Sequence, residues 1–292
     1  MATAPDQLSK NPVRKDSIVD NPPASDTLIR FLLPGARTRG AIIQAKHLRA
    51  EACRVHGLAE KAKHAPGELF AQSLVASILM LSISKGGVRQ VLQLDGTHSP
   101  IKRILAETKS GAVRGYVDWN EGVSTQGNAA SPVGWLGSPV TISTIRDPGF
   151  GQPYVSSVQS EADYLADMLV EYMHQSVQIR ADVLLHHNTG ILLEAMPDCG
   201  DEHWFSAVEA LATIANSVLD DEPEEILRAF APLGMQIVGR DVYTWHCDCD
   251  SQSMARSLAG MAAEQLQEIQ DEQGMITVSC RYCGSSYSVK PD

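Results

Sequence analysis

HCDCD, at residues 246–250, sets two cysteines one residue apart, and CRYCG, at residues 280–284, holds two more after a spacer of thirty residues. Four of the chain's six cysteines therefore fall in its last fifth. Most of the spacer, DSQSMARSLAGMAAEQLQEIQDEQG at residues 250–274, reads as two short helices parted near Gly260. MITVSCRYCGSSYSV, at residues 275–289, reads as a hairpin with the second cysteine pair in its turn.

Zinc takes four tetrahedral thiolate or imidazole ligands, at about 2.3 Å for sulfur. A CxxC in a tight turn lets two sulfurs converge on one ion, and Gly284 directly after Cys283 relaxes that turn. CxC is harder to use: extended neighbours point to opposite faces, so the chain must bend to bring both sulfurs inward. A segment of about fifty residues has little core of its own, which makes four buried cysteines without a metal the weaker reading. One Zn2+ held by Cys247, Cys249, Cys280 and Cys283 is expected, with His246 beside the ligands or on plain surface. A four-thiolate zinc site is net negative and lies beside Asp248 and Asp250, with Arg281 its one close cation in sequence. Such sulfurs are electron-rich and oxidisable.

The 292 residues carry a formal net charge of −11, so the general attraction to phosphate that dominates nucleic-acid binding is missing. Residues 1–26, MATAPDQLSKNPVRKDSIVDNPPASD, have no apolar centre, and their aspartates argue against a transit peptide. They read as a disordered leader. The most apolar run, LFAQSLVASILMLSI (residues 69–83), is too short and serine-rich for a bilayer, which takes about 20 residues, and reads as a buried core helix. A soluble cytoplasmic protein without membrane or nucleic-acid partners is expected, and in that reducing setting clustered cysteines point to metal or redox chemistry.

The chain upstream is mixed. TLIRFLLPGARTRGAIIQA reads as a strand pair around Pro34-Gly35, and residues 46–83 as helical with a break at Ala65-Pro66-Gly67. VRQVLQLDG and AVRGYVDW alternate as half-buried strands do. SPIKRILAET (residues 99–108) between them reads as a short helix, with Ser99 as cap and Pro100 at the first position. GFGQPYVSSVQS reads as a strand, EADYLADMLVEYMHQSV as an amphipathic helix and RADVLLHHNTGILLEAMP as a hairpin. With no regular βαβ alternation the class is α+β. The expected units are a mixed core over residues 27–197, a helical connector over 198–245 and a small C-terminal zinc-binding domain over 246–292. In the connector Val208, Leu211, Ile214, Ala215 and Val218 form an apolar stripe, followed by Ile226, Leu227 and Phe230, which must be covered.

CxC, thirty residues, then CxxC at the C-terminus resembles the signature of the heat shock protein 33 family, the redox-regulated holdase chaperones of bacteria. Stretches upstream are similar too, among them RFLLPGARTRGAIIQA, LQLDGTHSPIKRILAETKSGAVRGYV, DYLADMLVEYMHQSVQ and GILLEAMP. After the amphipathic helix the family usually has Ser-Glu-Gln and then proline, where this chain has Ser176-Val177-Gln178 and Arg180. The resemblance implies a protein that binds zinc through the four C-terminal cysteines and is inactive when reduced. It further implies that oxidants join Cys247 to Cys249 and Cys280 to Cys283, that zinc leaves, and that unfolding client proteins are then held without ATP. No P-loop sequence is present, in keeping with that. The apolar connector residues Val208, Leu211, Ile214, Val218, Ile226, Leu227 and Phe230 are the candidate client surface. Whether the active form is a homodimer is left open.

Plainer readings hold elsewhere. Cys53 reads as a buried hydrophobe and Cys199 as more exposed. His186 and His187, adjacent on a strand, should point to opposite faces and share no ligand role. Gly86-Gly87 and Gly149–Gly151 mark turns, and Asp163, Asp167 and Glu171 a solvated helix face. Two other functions stay in view. A thiol–disulfide oxidoreductase would need its CxxC at a helix N-terminus, where a thiolate is stabilised. A zinc-ribbon nucleic-acid module would meet eight acidic against three basic residues between Asp241 and Asp292.

Overall fold

The computed structural model describes residues 24–58, 65–84, 86–123 and 132–290, so nearly all of the expected leader lies outside the described residues. The chain begins with β1 (Asp26–Leu33), β2 (Thr38–Gln44), α1 (Lys46–Val55) and α2 (Ala65–Ile83). Five strands follow: β3 (Arg89–Asp95), β4 (Ile101–Lys109), β5 (Ala112–Trp119), β6 (Val140–Asp147) and β7 (Tyr154–Ser160). Then come α3 (Leu165–Tyr172), β8 (Ala181–His186), β9 (Thr189–Ala195), α4 (Asp201–Ala212), α5 (Pro223–Ile226) and β10 (Gln236–Trp245). The last segment holds α6 (Ser251–Leu258), α7 (Ala263–Glu268), β11 (Ile276–Ser279) and β12 (Ser286–Val289). Ten strands make one sheet in the order β7-β6-β3-β4-β5-β10-β1-β2-β9-β8, and β11 pairs with β12 apart from it. The class is α+β, as expected.

Alternation along the strands separates two apolar layers. Leu28, Ala41, Ile43 and Leu192 join the core built around α2, whose Phe70, Leu74, Val75, Ile78 and Leu79 are buried. Their neighbours Ile29, Phe31, Leu33, Ile42, Ile191 and Leu193 face the opposite way, into a second cluster. The α2 helix lies close on the sheet because two strand positions have no side chain. A Cβ on Gly190 would fall 2.3 Å from Val75, and one on Gly115 would fall 2.9 Å from Phe70. Among the described residues α2 is the one helix long and apolar enough to cross a membrane, and 83% of that stretch is buried inside the protein.

The second layer is covered by the segment after β9. Ala207, Leu211, Ile214, Leu219, Ile226, Leu227 and Phe230 are buried against β1, β2 and β9. The expected stripe needs one correction. Val208 is half-buried and outside this cluster, Val218 is half-buried at its edge, and Ala215 is exposed. Helix α4 ends at Ala212, so the 3.6-residue period stops there and turns place Ile214 and Leu219 instead.

Two further expectations are overturned. Residues 99–108 are not a helix, since Ile101–Lys109 is a strand inside the sheet between β3 and β5. Charges of this strand have cross-strand partners. Asp95 stands opposite Arg103 at 2.6 Å, and Glu107 opposite Arg114 at 2.7 Å. Pairing on both edges outweighs local propensity and the Ser-Pro start. The connector is helical only in its first part, because residues 236–245 form β10, antiparallel to β1 along its length and parallel to β5 over two pairs, Thr244 with Ala112 and Trp245 with Val113.

Candidate metal centre

Strand β10 delivers the CxC motif. Its last residue is Trp245, and the next amide, His246, donates to the Val113 carbonyl of β5 at 3.0 Å. The chain then leaves the sheet through Cys247, Asp248 and Cys249, and Asp250 caps α6 by accepting from the Ser253 amide. The CxxC motif closes the turn between β11 and β12. The Cys280 amide donates to Ser285, the Gly284 amide returns to Cys280, and Gly284 takes a positive φ of 74°. Leu258, Ile276 and Val289 form a small core that ties α6 to the hairpin.

These elements bring all four C-terminal Sγ atoms within 4.8 Å of one another. The motifs interleave, with Cys247 3.7 Å from Cys280 and Cys249 3.4 Å from Cys283. A tetrahedron with zinc–sulfur bonds of about 2.3 Å has sulfur–sulfur edges of about 3.8 Å, so the four residues fit that ion. The Tyr287 hydroxyl donates to the Cys249 carbonyl at 3.0 Å and sits 3.2 Å from its sulfur. As thiols, Cys247 and Cys283 differ. Burial pushes Cys247 up to about 12. Burial also raises Cys283, but hydrogen bonds from the Ser285 hydroxyl and amide outweigh it and bring this thiol to about 7. A divalent cation supplies the positive charge that four converging thiolates lack.

The cations near the site come from the core, and their distance in sequence hides them. Arg114 of β5 donates from Nη1 to Asp248 at 2.5 Å, and that nitrogen lies 3.8 Å from the Cys247 sulfur. Its Nε donates to the buried Glu107, which also accepts from Arg89. Burial opposes the Glu107 charge, and the two guanidiniums outweigh it, holding this carboxyl below the usual range. Lys109 reaches Asp248 at 3.2 Å. The guanidinium of Arg114 stacks 4.2 Å from the Tyr282 ring, which also meets Tyr116 edge-on at 5.4 Å. Arg281, the one cation visible from the motif, reaches away to Asp118 at 3.0 Å. His56, directly after α1, donates from Nε2 toward two carbonyls, Gly115 at 2.9 Å and Tyr282 at 3.1 Å.

The remaining candidates fall outside this centre. Cys53 is buried, and Cys199 is half-buried between Thr38 and the Ala36 carbonyl. His186 and His187 do not point apart as expected: their rings lie 4.2 Å from each other, because His187 turns the chain with a φ of 49°. They nevertheless join no group of three or more ligands; among the described residues only the four cysteines do.

The sequence model of the Hsp33 protein family matches residues 26–290, and the chain belongs to the Hsp33 family. A 33 kDa chaperonin of Methylobacillus flagellatus is 29% identical over 275 residues, covering 90% of this chain and 91% of that protein. One from Geobacter sulfurreducens is 27% identical over 282 residues, covering 90% and 92%. The crystal structure of the 33 kDa chaperonin of Thermotoga maritima superposes with a TM-score of 0.72 at 20% identity, over 90% of this chain and 94% of that one. It shares the fold.

Proposed function

We propose that this chain is an ATP-independent holdase chaperone of the cytoplasm, governed by the redox state of Cys247, Cys249, Cys280 and Cys283. The observation that carries the reading is the convergence of these four sulfurs within 4.8 Å, in a lobe whose own core is three buried side chains. Zinc bound to them supplies folding energy that so small a lobe lacks, of order 10–16 kcal/mol in comparable peptides. On this reading the units are a core over residues 27–197, a connector over 198–245 and a switch over 246–292.

In the reduced state the thiolates hold the lobe folded and the connector stays docked. Two equivalents of peroxide take four electrons from the four thiolates, forming Cys247–Cys249 and Cys280–Cys283, and with four protons from solvent leave four waters and the freed cation. Paired sulfurs no longer hold a cation, and the lobe loses its support. The connector's apolar residues Leu211, Ile214, Ile226, Leu227 and Phe230, with Val218 at their edge and Val208 beside them on α4, then become available to unfolding proteins. The oxidised chain acts alone or as a homodimer. A thiol–disulfide oxidoreductase is less well supported, because the CxxC lies in a hairpin turn and not at a helix N-terminus.

The test is zinc content and suppression of aggregation of a thermally unfolding enzyme, both before and after peroxide with mild heat. Holding that appears only after oxidation, together with zinc loss, is expected. Equal holding by the reduced, zinc-loaded chain would overturn the reading.

A further inference from the structure

Each cysteine pair encloses residues that are not ligands, and in both motifs those residues make the side-chain ion pairs and ring contacts to the core, with Cys247 the one cysteine that also lies near Arg114. Asp248, inside the CxC, accepts from Arg114 and Lys109. Arg281 and Tyr282, inside the CxxC, meet Asp118, Tyr116 and Arg114, and the Tyr282 carbonyl accepts from His56. All the core partners except His56 lie on β4 and β5. Arg114 is the point where the two sets meet, since its guanidinium contacts both Asp248 and Tyr282 while Glu107 anchors it from the other side.

We propose that Asp248, Arg281 and Tyr282 form a latch that fastens the metal lobe to β4 and β5, and that through them the state of the sulfurs is passed to the core. This inference rests on the redox reading above. Its chemical basis is the position of the latch residues within the rings that oxidation closes. When two thiols of one motif lose two electrons and two protons to one peroxide, giving two waters, their sulfurs move to about 2.05 Å. The small ring so formed contains the backbone of Asp248 in one motif, and of Arg281 and Tyr282 in the other. The side chains are thereby re-aimed away from partners that are fixed in the sheet. Sulfurs held by a cation between the motifs leave those backbones as the structure shows them, so the latch closes only around the interleaved arrangement.

The experiment uses the full chain, reduced and loaded with cobalt or zinc, with the four cysteines untouched and every change but the rescuing one made on the core side. The variants are Lys109→Glu with Asp118→Arg, Asp118→Arg alone, and Asp118→Arg rescued by Arg281→Asp. Hydrogen exchange is read at two amides: His246, which bonds across to Val113, and Cys280, which bonds within the lobe to Ser285. Reversing two partly exposed ion pairs should speed exchange at His246 about tenfold, while Cys280 and the cobalt–thiolate spectrum stay as in the parent. The Arg281→Asp partner should return the Asp118→Arg chain toward parental exchange at His246. Metal-loaded variants with parental exchange would overturn the latch. So would a paired variant no better than Asp118→Arg alone, or loss of Cys280 protection, which would mean an unfolded lobe and not an undocked one. A parent chain that takes up no cobalt would instead overturn the metal reading itself, and the latch with it.

Discussion

Phe230, in the turn that follows α5, stacks on Phe31 of β1 with ring centroids 5.5 Å apart and planes inclined by 28°. Both rings are fully buried, and they join the connector to the sheet face opposite α2. Phe230→Ala should therefore destabilise the docked connector by about 3–5 kcal/mol. Leu211→Ser and Ile226→Ser should act in the same direction, by about 1–3 kcal/mol each. The expected result is a reduced, zinc-loaded chain that already holds an aggregating client, followed by light scattering with zinc assayed in the same samples. Inert variants with confirmed loss of connector protection would show that its release alone does not suffice.

Metal content should depend on the C-terminal cysteines alone. Cys280→Ser is expected to lose most of the zinc, since its thiol is the buried member of the four. Cys53→Ser and Cys199→Ser should keep one zinc per chain, because neither belongs to the cluster. Elemental analysis of carefully reduced protein checks both statements.

Peroxide with mild heat should release the zinc and leave two disulfides within residues 247–283. Peptide mapping decides the pairing. Bridges within each motif are expected from the redox reading, whereas the shortest sulfur contacts of the structure run between motifs, 3.4 Å for Cys249 and Cys283. Cross-motif bridges would keep the lobe closed and would remove the release step. Dithiothreitol and zinc should restore the starting state.

Glu107 gives a prediction in acid. Its folded-state pKa lies below the unfolded value, because Arg114 and Arg89 outweigh its burial. The stability it contributes is therefore complete above the unfolded pKa of about 4.3 and is lost as pH falls through the folded one. Glu107→Gln should cost about 3–5 kcal/mol near neutrality, since it leaves two guanidiniums facing a neutral amide. The gap in melting temperature between the two proteins should narrow steadily below about pH 4. A gap independent of pH would assign the loss to packing.

Legibility in the sequence followed the range of the physics. The CxxC turn declares itself over a few residues, since Cys280, Cys283 and Gly284 carry both ligand spacing and the positive φ. The hairpin of β8 and β9 and the buried character of α2 were readable from local pattern in the same way. Strand β4 was not, because its charges are satisfied by Asp95, Arg89 and Arg114 on other strands, and nothing nearby in sequence announces those partners. The same holds for Arg114 as the cation of the metal site. Ala215 and Val218 fail for a geometric reason: the stripe was extended past Ala212, where the helix that defines it has already ended.

Strand β10 is the last of the ten sheet strands to leave the ribosome, yet its place is in the middle, between β1 and β5. The nine strands made before it form two separate groups, β7-β6-β3-β4-β5 and β1-β2-β9-β8, which no strand pairing connects. A nascent chain that has emerged only as far as β9 thus carries two half-sheets with unpaired inner edges. The strand that joins them ends two residues before Cys247, so the segment that completes the sheet also carries the first two cysteines of the cluster to its edge.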